Sequence, residues 1–149
     1  MLVIAHRGLL EGPNKELENH PDQIEKALSE GFEVEIDLQV QNGLPFLGHD
    51  SPQYVTTVSF LSQGKLWIHA KTMEAAHFCT RFLGYRNWFF HQNDDCVVIN
   101  KKLLWTYPRK DIPLFDHSIA VLPELNYTDD EIKAFKCFGI CTDYALKFK

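Results

Sequence analysis

Gly31-Phe32-Glu33-Val34-Glu35-Ile36-Asp37-Leu38-Gln39-Val40 alternates apolar and polar residues without a break from Phe32 onward. Side chains on a strand point to opposite faces in turn. The pattern is therefore a strand with Phe32, Val34, Ile36, Leu38 and Val40 on one face. Glu33, Glu35, Asp37 and Gln39 lie on the other. Asn42-Gly43 is a strong two-residue turn signal. Leu44 to Gly48 returns from that turn and delivers His49-Asp50.

Upstream, Leu2 to Ala5 reads as a short buried strand, and Gly8 to Asn19, with Gly12, Pro13 and Asn14, as a loop. Pro21 suits the first position of a helix, which makes His20 the N-cap. Ile24, Ala27 and Leu28 follow at helical spacing, and Gly31 ends the run. Downstream, Leu66 to Ala70 is a strand. Thr72 caps a helix whose Ala75, Ala76, Cys79, Phe82 and Leu83 share a face, closed by Gly84. Trp88 to His91 is a strand. Cys96 to Ile99 and Leu103 to Thr106 pair as a hairpin across Asn100-Lys101-Lys102. Ile119 to Leu122 is a strand, and Thr128-Asp129-Asp130-Glu131 is a capping box ahead of Ile132, Phe135 and Phe138. Gly139 to Thr142 closes the series. Strands alternating with helices define an α/β architecture. No repeat or linker interrupts it, so one domain is expected over residues 1–149.

Composition bounds the function. The chain has 149 residues, 45% hydrophobic and 23% charged, which is ordinary globular usage. Its net charge of −5, with only the basic pairs Lys101-Lys102 and Arg109-Lys110, argues against a nucleic-acid partner. The acidic surplus is concentrated: residues 1–50 carry ten acidic and three basic residues. The cysteines Cys79, Cys96, Cys137 and Cys141 form no C-x-x-C motif, so buried free thiols are expected rather than a zinc or redox site. No apolar run approaches a membrane span and no signal segment is evident, so a cytoplasmic setting is expected.

In an α/β fold the apolar face of the Phe32–Val40 strand packs under helices, leaving its acids facing a barrel or cleft. Neighbouring acids on that face lie roughly 6.6 Å apart. Buried together, they repel unless a proton or cation separates them. Alternation alone favours an exposed face of solvated acids. The histidines tilt the reading. His6-Arg7 follows the first strand and His49-Asp50 follows the hairpin, and strand C-termini are where β/α-barrel sites collect. Arginine grips phosphate oxygens in a fork. Paired imidazoles serve as acid and base near neutral pH, and a cation neutralises developing phosphoryl charge.

In order, Ile4-Ala5-His6-Arg7-Gly8, Glu18-Asn19, Gly31-Phe32-Glu33-Val34-Glu35-Ile36-Asp37 and Gly48-His49-Asp50 resemble the glycerophosphodiester phosphodiesterase family. Gly139-Ile140-Cys141-Thr142-Asp143 looks like that family's last barrel strand, and Ile68-His69-Ala70-Lys71 keeps its strand-then-Lys pattern. The resemblance implies a TIM-type β/α barrel and metal-dependent hydrolysis of a small-molecule phosphodiester. By position, His6 and His49 match the acid/base pair. Arg7 and Lys71 match phosphate-binding residues, Glu35 and Asp37 match metal ligands, and Glu18 and Asn19 match the pair that shapes the first loop.

The chain departs from the family where it has His69 in place of a third acidic ligand. Mg²⁺ or Ca²⁺ is the family's metal, whereas an imidazole donor suits Mn²⁺ or Zn²⁺. His91, Asp94 and Glu124 stand at strand ends as candidates to supply the missing acid. The alternative is a non-catalytic module of the same descent that binds a phosphate or phospholipid head group.

A full barrel takes about 250 residues. An abridged one is therefore expected here, with some helices replaced by hairpins or loops. From residue 66 onward only Thr72–Leu83 and Thr128–Phe138 read as clear helices. A gap in the helical ring would expose apolar strand surface, and a homo-oligomer through that gap is the expectation.

Overall fold

The Phe32–Val40 stretch forms the longest strand of the sheet. In the computed structural model, which describes residues 1–99, 102–107 and 109–149, it runs as β2, Glu33–Gln41. Before it come β1 (Leu2–His6) and α1 (Pro21–Ser29). After it come β3 (Leu44–Leu47), β4 (Tyr54–Val55), α2 (Val58–Leu61), β5 (Leu66–Ala70), α3 (Met73–Phe82) and β6 (Trp88–Phe90). The chain continues with β7 (Cys96–Ile99), β8 (Leu103–Thr106), β9 (Ser118–Val121), α4 (Asp129–Lys133) and β10 (Gly139–Thr142). The expected hairpin pairs β7 with β8, but Asn100 and Lys101 of its turn lie outside the described residues.

The expected caps form. The His20 ring accepts from the Asp22 N–H, Pro21 opens α1, and the Thr72 hydroxyl accepts from the Ala75 N–H to start α3. Thr128 and Glu131 close a complete capping box. Three details differ from the sequence expectation. α2 and β4 are too short to leave a periodic signal. α4 stops at Lys133 instead of reaching Phe138, because Phe138 donates its N–H to Ser118 O and accepts from the Leu2 N–H at 2.9 Å each. Those bonds tie residue 138 to the sheet just ahead of β10.

The architecture is mixed α/β around one ten-stranded sheet. β6, β5, β2, β1, β10, β9 and β8 run parallel in that order. β3 is antiparallel to the far half of β2, and β7 is antiparallel to β8. The sheet curls. Trp67 on β5 stacks on Trp105 of β8 at 6.1 Å, and Phe89 on β6 meets the same ring at 4.6 Å. These strands stand near opposite ends of the parallel order, so only a curled sheet brings them together. Among the described residues β6 and β7 lie close without a hydrogen-bonded ladder, and the curl stays unsealed there.

Two layers of core follow. The concave face encloses Ile4, Trp67, Phe89, Ile99, Trp105, Ile119 and Val121. The convex face packs Val34, Ile36 and Leu38 beneath Ile24 and Ala27 of α1 and Ala75, Phe78 and Cys79 of α3. A smaller cluster joins Ile132 of α4 to Ala120 and Ile140. Fully burying one such aliphatic side chain stabilises by about 1.5–3 kcal/mol. Helices thus cover one side of the curl, while Cys96 and Val98 on β7 remain exposed, as a gap in the ring predicts. No helix among the described residues is long and apolar enough to cross a membrane.

Candidate functional site

The parallel strands end on one side of the sheet, and their inward side chains change character there. Below lie the tryptophans of the concave core, and above lie His6 on β1, Glu35 and Asp37 on β2, and His69 on β5. The register puts His6 beside Glu35 and Asp37 beside His69. Both carboxylates are nearly inaccessible, Glu35 at 2% and Asp37 at 1%. The β2 acids therefore face inward; a surface of solvated acids is excluded.

Asp37 is the hub. Its backbone N–H donates to Asn19 Oδ1, and its Oδ2 accepts from Asn19 Nδ2, both at 2.9 Å. Arg7 Nε stands 3.0 Å from Oδ2, though its N–H is not aligned for a hydrogen bond. His69 Nδ1 and Lys71 Nζ each stand 3.5 Å from Oδ1. Although burial alone would raise it, these partners hold the Asp37 carboxyl well below the usual carboxylate range, His69 and Arg7 foremost. Glu35 behaves oppositely. Burial and the Asp37 charge push its pKa up.

The first loop is tied to this hub. Arg7 donates from its backbone to Glu35 Oε2 at 3.2 Å and from Nη1 to Glu18 Oε2 at 2.9 Å. Lys15 reaches the other Glu18 oxygen at 3.1 Å. His6 Nδ1 pairs with Asp143 Oδ1 at 2.6 Å, while Nε2 lies 3.8 Å from Glu35 Oε2. Burial opposes its charge, but the Asp143 bond and the Glu35 field leave the His6 pKa raised above 6.5. His49 is half-exposed on the loop after β3. Its backbone carbonyl accepts from Gln39 Nε2, and its Nδ1 pairs with Asp50 at 2.6 Å. Its pKa is lowered from 6.5, chiefly by burial, and it feels Asp37, Arg7 and Lys71.

Glu35, Asp37 and His69 each offer a ligand atom, and these atoms lie within 4.8 Å of one another. That cluster could hold a metal ion. Of the other candidates for a third acid, His91 stacks on His69 at 4.5 Å without joining the cluster, and the two acids lie elsewhere. Asp94 is exposed, and Glu124 Oε1 accepts from the Thr142 hydroxyl and the Asp143 N–H at 2.9 Å each. Glu124 thereby braces Asp143 against His6. The sequence reading gave no role to Asp143 or to Tyr107, whose hydroxyl lies 3.5 Å from His91 Nε2. Both stand one residue past a parallel strand, as His69 stands at the end of one, and that position was the available signal. Compared with known proteins, the chain matches no family model, no curated protein and no solved structure.

Proposed function

We propose that this chain is a metal-dependent phosphodiester hydrolase, built on an abridged TIM-type β/α barrel and similar to the glycerophosphodiester phosphodiesterases. One observation carries the reading. His6 and His69, two cationic side chains and a buried carboxylate pair converge where parallel strands end, and the Gly48 N–H bonds Asp37 O so that the His49 loop lies beside them. Diester hydrolysis needs these parts together: an anion grip, an acid and a base, and a counter-charge for the phosphoryl group.

Glu35, Asp37 and His69 would hold one divalent cation, and its role is Lewis-acid stabilisation of phosphoryl charge. Two carboxylates with one imidazole suit Mn²⁺ or Zn²⁺ better than the all-oxygen shells of Mg²⁺ or Ca²⁺. Arg7, steadied from behind by Glu18 and Asp37, and Lys71 bind and orient the phosphate oxygens. Asp143 fixes the His6 ring so that Nε2 faces the site. His6, with its raised pKa, is the acid that gives a proton to the leaving alcohol. His49, with its lowered pKa, is the neutral base that takes one from the attacking hydroxyl or water. Environments that push two titratable groups apart assign acid and base in this way.

The test is hydrolysis of bis(4-nitrophenyl) phosphate across a panel of Mg²⁺, Ca²⁺, Mn²⁺ and Zn²⁺. His6→Ala and His49→Ala are each expected to lower kcat by about a hundredfold or more. Unchanged rates in both would sink the proposal. The second reading, a phosphate-binding module without turnover, draws on Asp37 itself. With Arg7 and Lys71 already beside it, that carboxylate is neutralised by the chain's own cations. Phosphate binding without metal binding or hydrolysis would select it.

A further inference from the structure

The outer face of α3 borders a groove of about 620 Å³ on the convex side of the sheet. Val40, Asn42 and Gly43 of the β2–β3 hairpin form one wall, and Met73, Phe78 and Phe82 of α3 form the other. A helix on a globular domain turns one apolar stripe to the core. α3 already does so with Ala75, Phe78 and Cys79. Yet Met73 is 67% exposed and Phe82 50%, so α3 carries a second apolar surface that nothing among the described residues covers. The hairpin turn keeps the groove open, since a Cβ on Gly43 would meet nothing within 4 Å.

Charge selects the occupant. Glu74, His77 and Arg81 also border the groove, and their spacing of three and four residues puts them on one helix face. Glu74 and Arg81 stand about 10.5 Å apart along the helix axis, too far to pair with each other. Arg81 lies over the Phe82 ring at 5.7 Å, and among the described residues neither charge has an ion-pair partner. A lipid chain, or a ligand of one charge, would cover this face and leave at least one ion desolvated and unpaired. The complement is an apolar surface with a cation facing Glu74 and an anion facing Arg81. A second α3 running antiparallel to the first has that order. With a two-fold axis beside His77 and Phe78, Glu74 of each copy meets Arg81 of the other. Met73 and Phe82, on opposite edges of the face, then flank the two pairs. Such a contact is isologous, so both grooves are filled at once.

We infer that two copies of this chain associate through the groove, α3 against α3 antiparallel, with reciprocal Glu74–Arg81 pairs between them. The interface lies over α3 and not at the uncovered strand β7, and it is independent of the phosphate-binding reading. One helix pair and a hairpin edge make an interface at the small end of the usual range, so the dissociation constant is expected at roughly 10–100 μM. Sedimentation equilibrium of the full chain tests this. Glu74→Arg and Arg81→Glu each set like charges against each other across the two-fold, and each should weaken the dimer at least about tenfold. Both positions are exposed, so the fold tolerates the reversals. Mixed in equal amounts, the two variants should form a heterodimer of near-parent affinity, because every facing pair is again of opposite charge. A parent that stays monomeric at about 1 mM overturns the inference, and its flotation with phosphatidylcholine vesicles would then assign the groove to a lipid surface. A dimer that neither reversal weakens, or that mixing fails to restore, overturns it as well.

Discussion

Asn19 ties the first loop to the hub of the site. It is fully buried, carries φ = 59°, and receives no company from solvent. Asparagine is among the few non-glycine residues that tolerate left-handed backbone. That conformation lets the amide bond Asp37 twice, while its own N–H bonds Arg7 O at 2.9 Å. Arg7 sits at φ = 52°, a second strained position next to the first. Asn19→Ala should therefore cost about 2–4 kcal/mol, since two hydrogen bonds to a buried ionised residue are lost. Urea unfolding measures this, and a change below about 0.5 kcal/mol would count against the strut. The histidines predict a pH profile. His49 must be neutral, so kcat/KM falls on the acid side as pH drops through its pKa, which lies below 6.5. His6 must be protonated, so kcat/KM falls on the alkaline side as pH rises through its pKa, which lies above 6.5. Asp143→Asn removes a partner that raises His6, so the alkaline limb should move to lower pH while the acid limb stays. An unmoved alkaline limb would show that Asp143 does not set His6.

Elements place these residues through turns more than through helices. Gly48 delivers His49 from β3 with φ = 148°, and a Cβ there would stand 2.1 Å from Ser51 O. No side chain rotation relieves a clash with backbone. Gly48→Ala should displace the His49 loop and lower kcat about as much as His49→Ala, with a smaller loss of thermal stability because the loop lies outside both cores. Activity within about twofold of the parent would refute that coupling. The alternation of β2, the Asn42-Gly43 turn and the caps at Thr72 and Thr128 were legible in the sequence because each is a local signal. α2 and the true end of α4 were not. One is barely a single helical turn, and the other is set by Phe138 bonding to Ser118 and Leu2, both distant in sequence.

At the scale of the whole molecule, the curl sorts the cysteines. Burial pushes the Cys79 thiol up to about 12 and raises Cys137 and Cys141, while Cys96 sits exposed on the uncovered strand β7. Alkylation of the native protein at pH 8 should label Cys96 alone, with the other three reacting only on unfolding. Mass mapping of labelled peptides reads this directly, and early labelling of Cys79 would contradict its place on the buried face of α3. By itself the sequence determined the α/β class, the acidic face of β2 and the positions of His6, Arg7 and His49 at strand ends. These follow from periodicity and turn chemistry, which act over a few residues. That the acidic face points inward was decided by burial in the fold. Only the tertiary structure decided which groups meet. Strand order and register join Asp143 to His6 across nearly the whole chain, bring Lys71 and Arg7 to one carboxylate, and stack His91 on His69, while the curl brings Trp67 and Phe89 to Trp105. Among the described residues, the same curl leaves β6 unladdered to β7. Such pairings depend on strand order and register, which long-range hydrogen bonding fixes and no local pattern encodes.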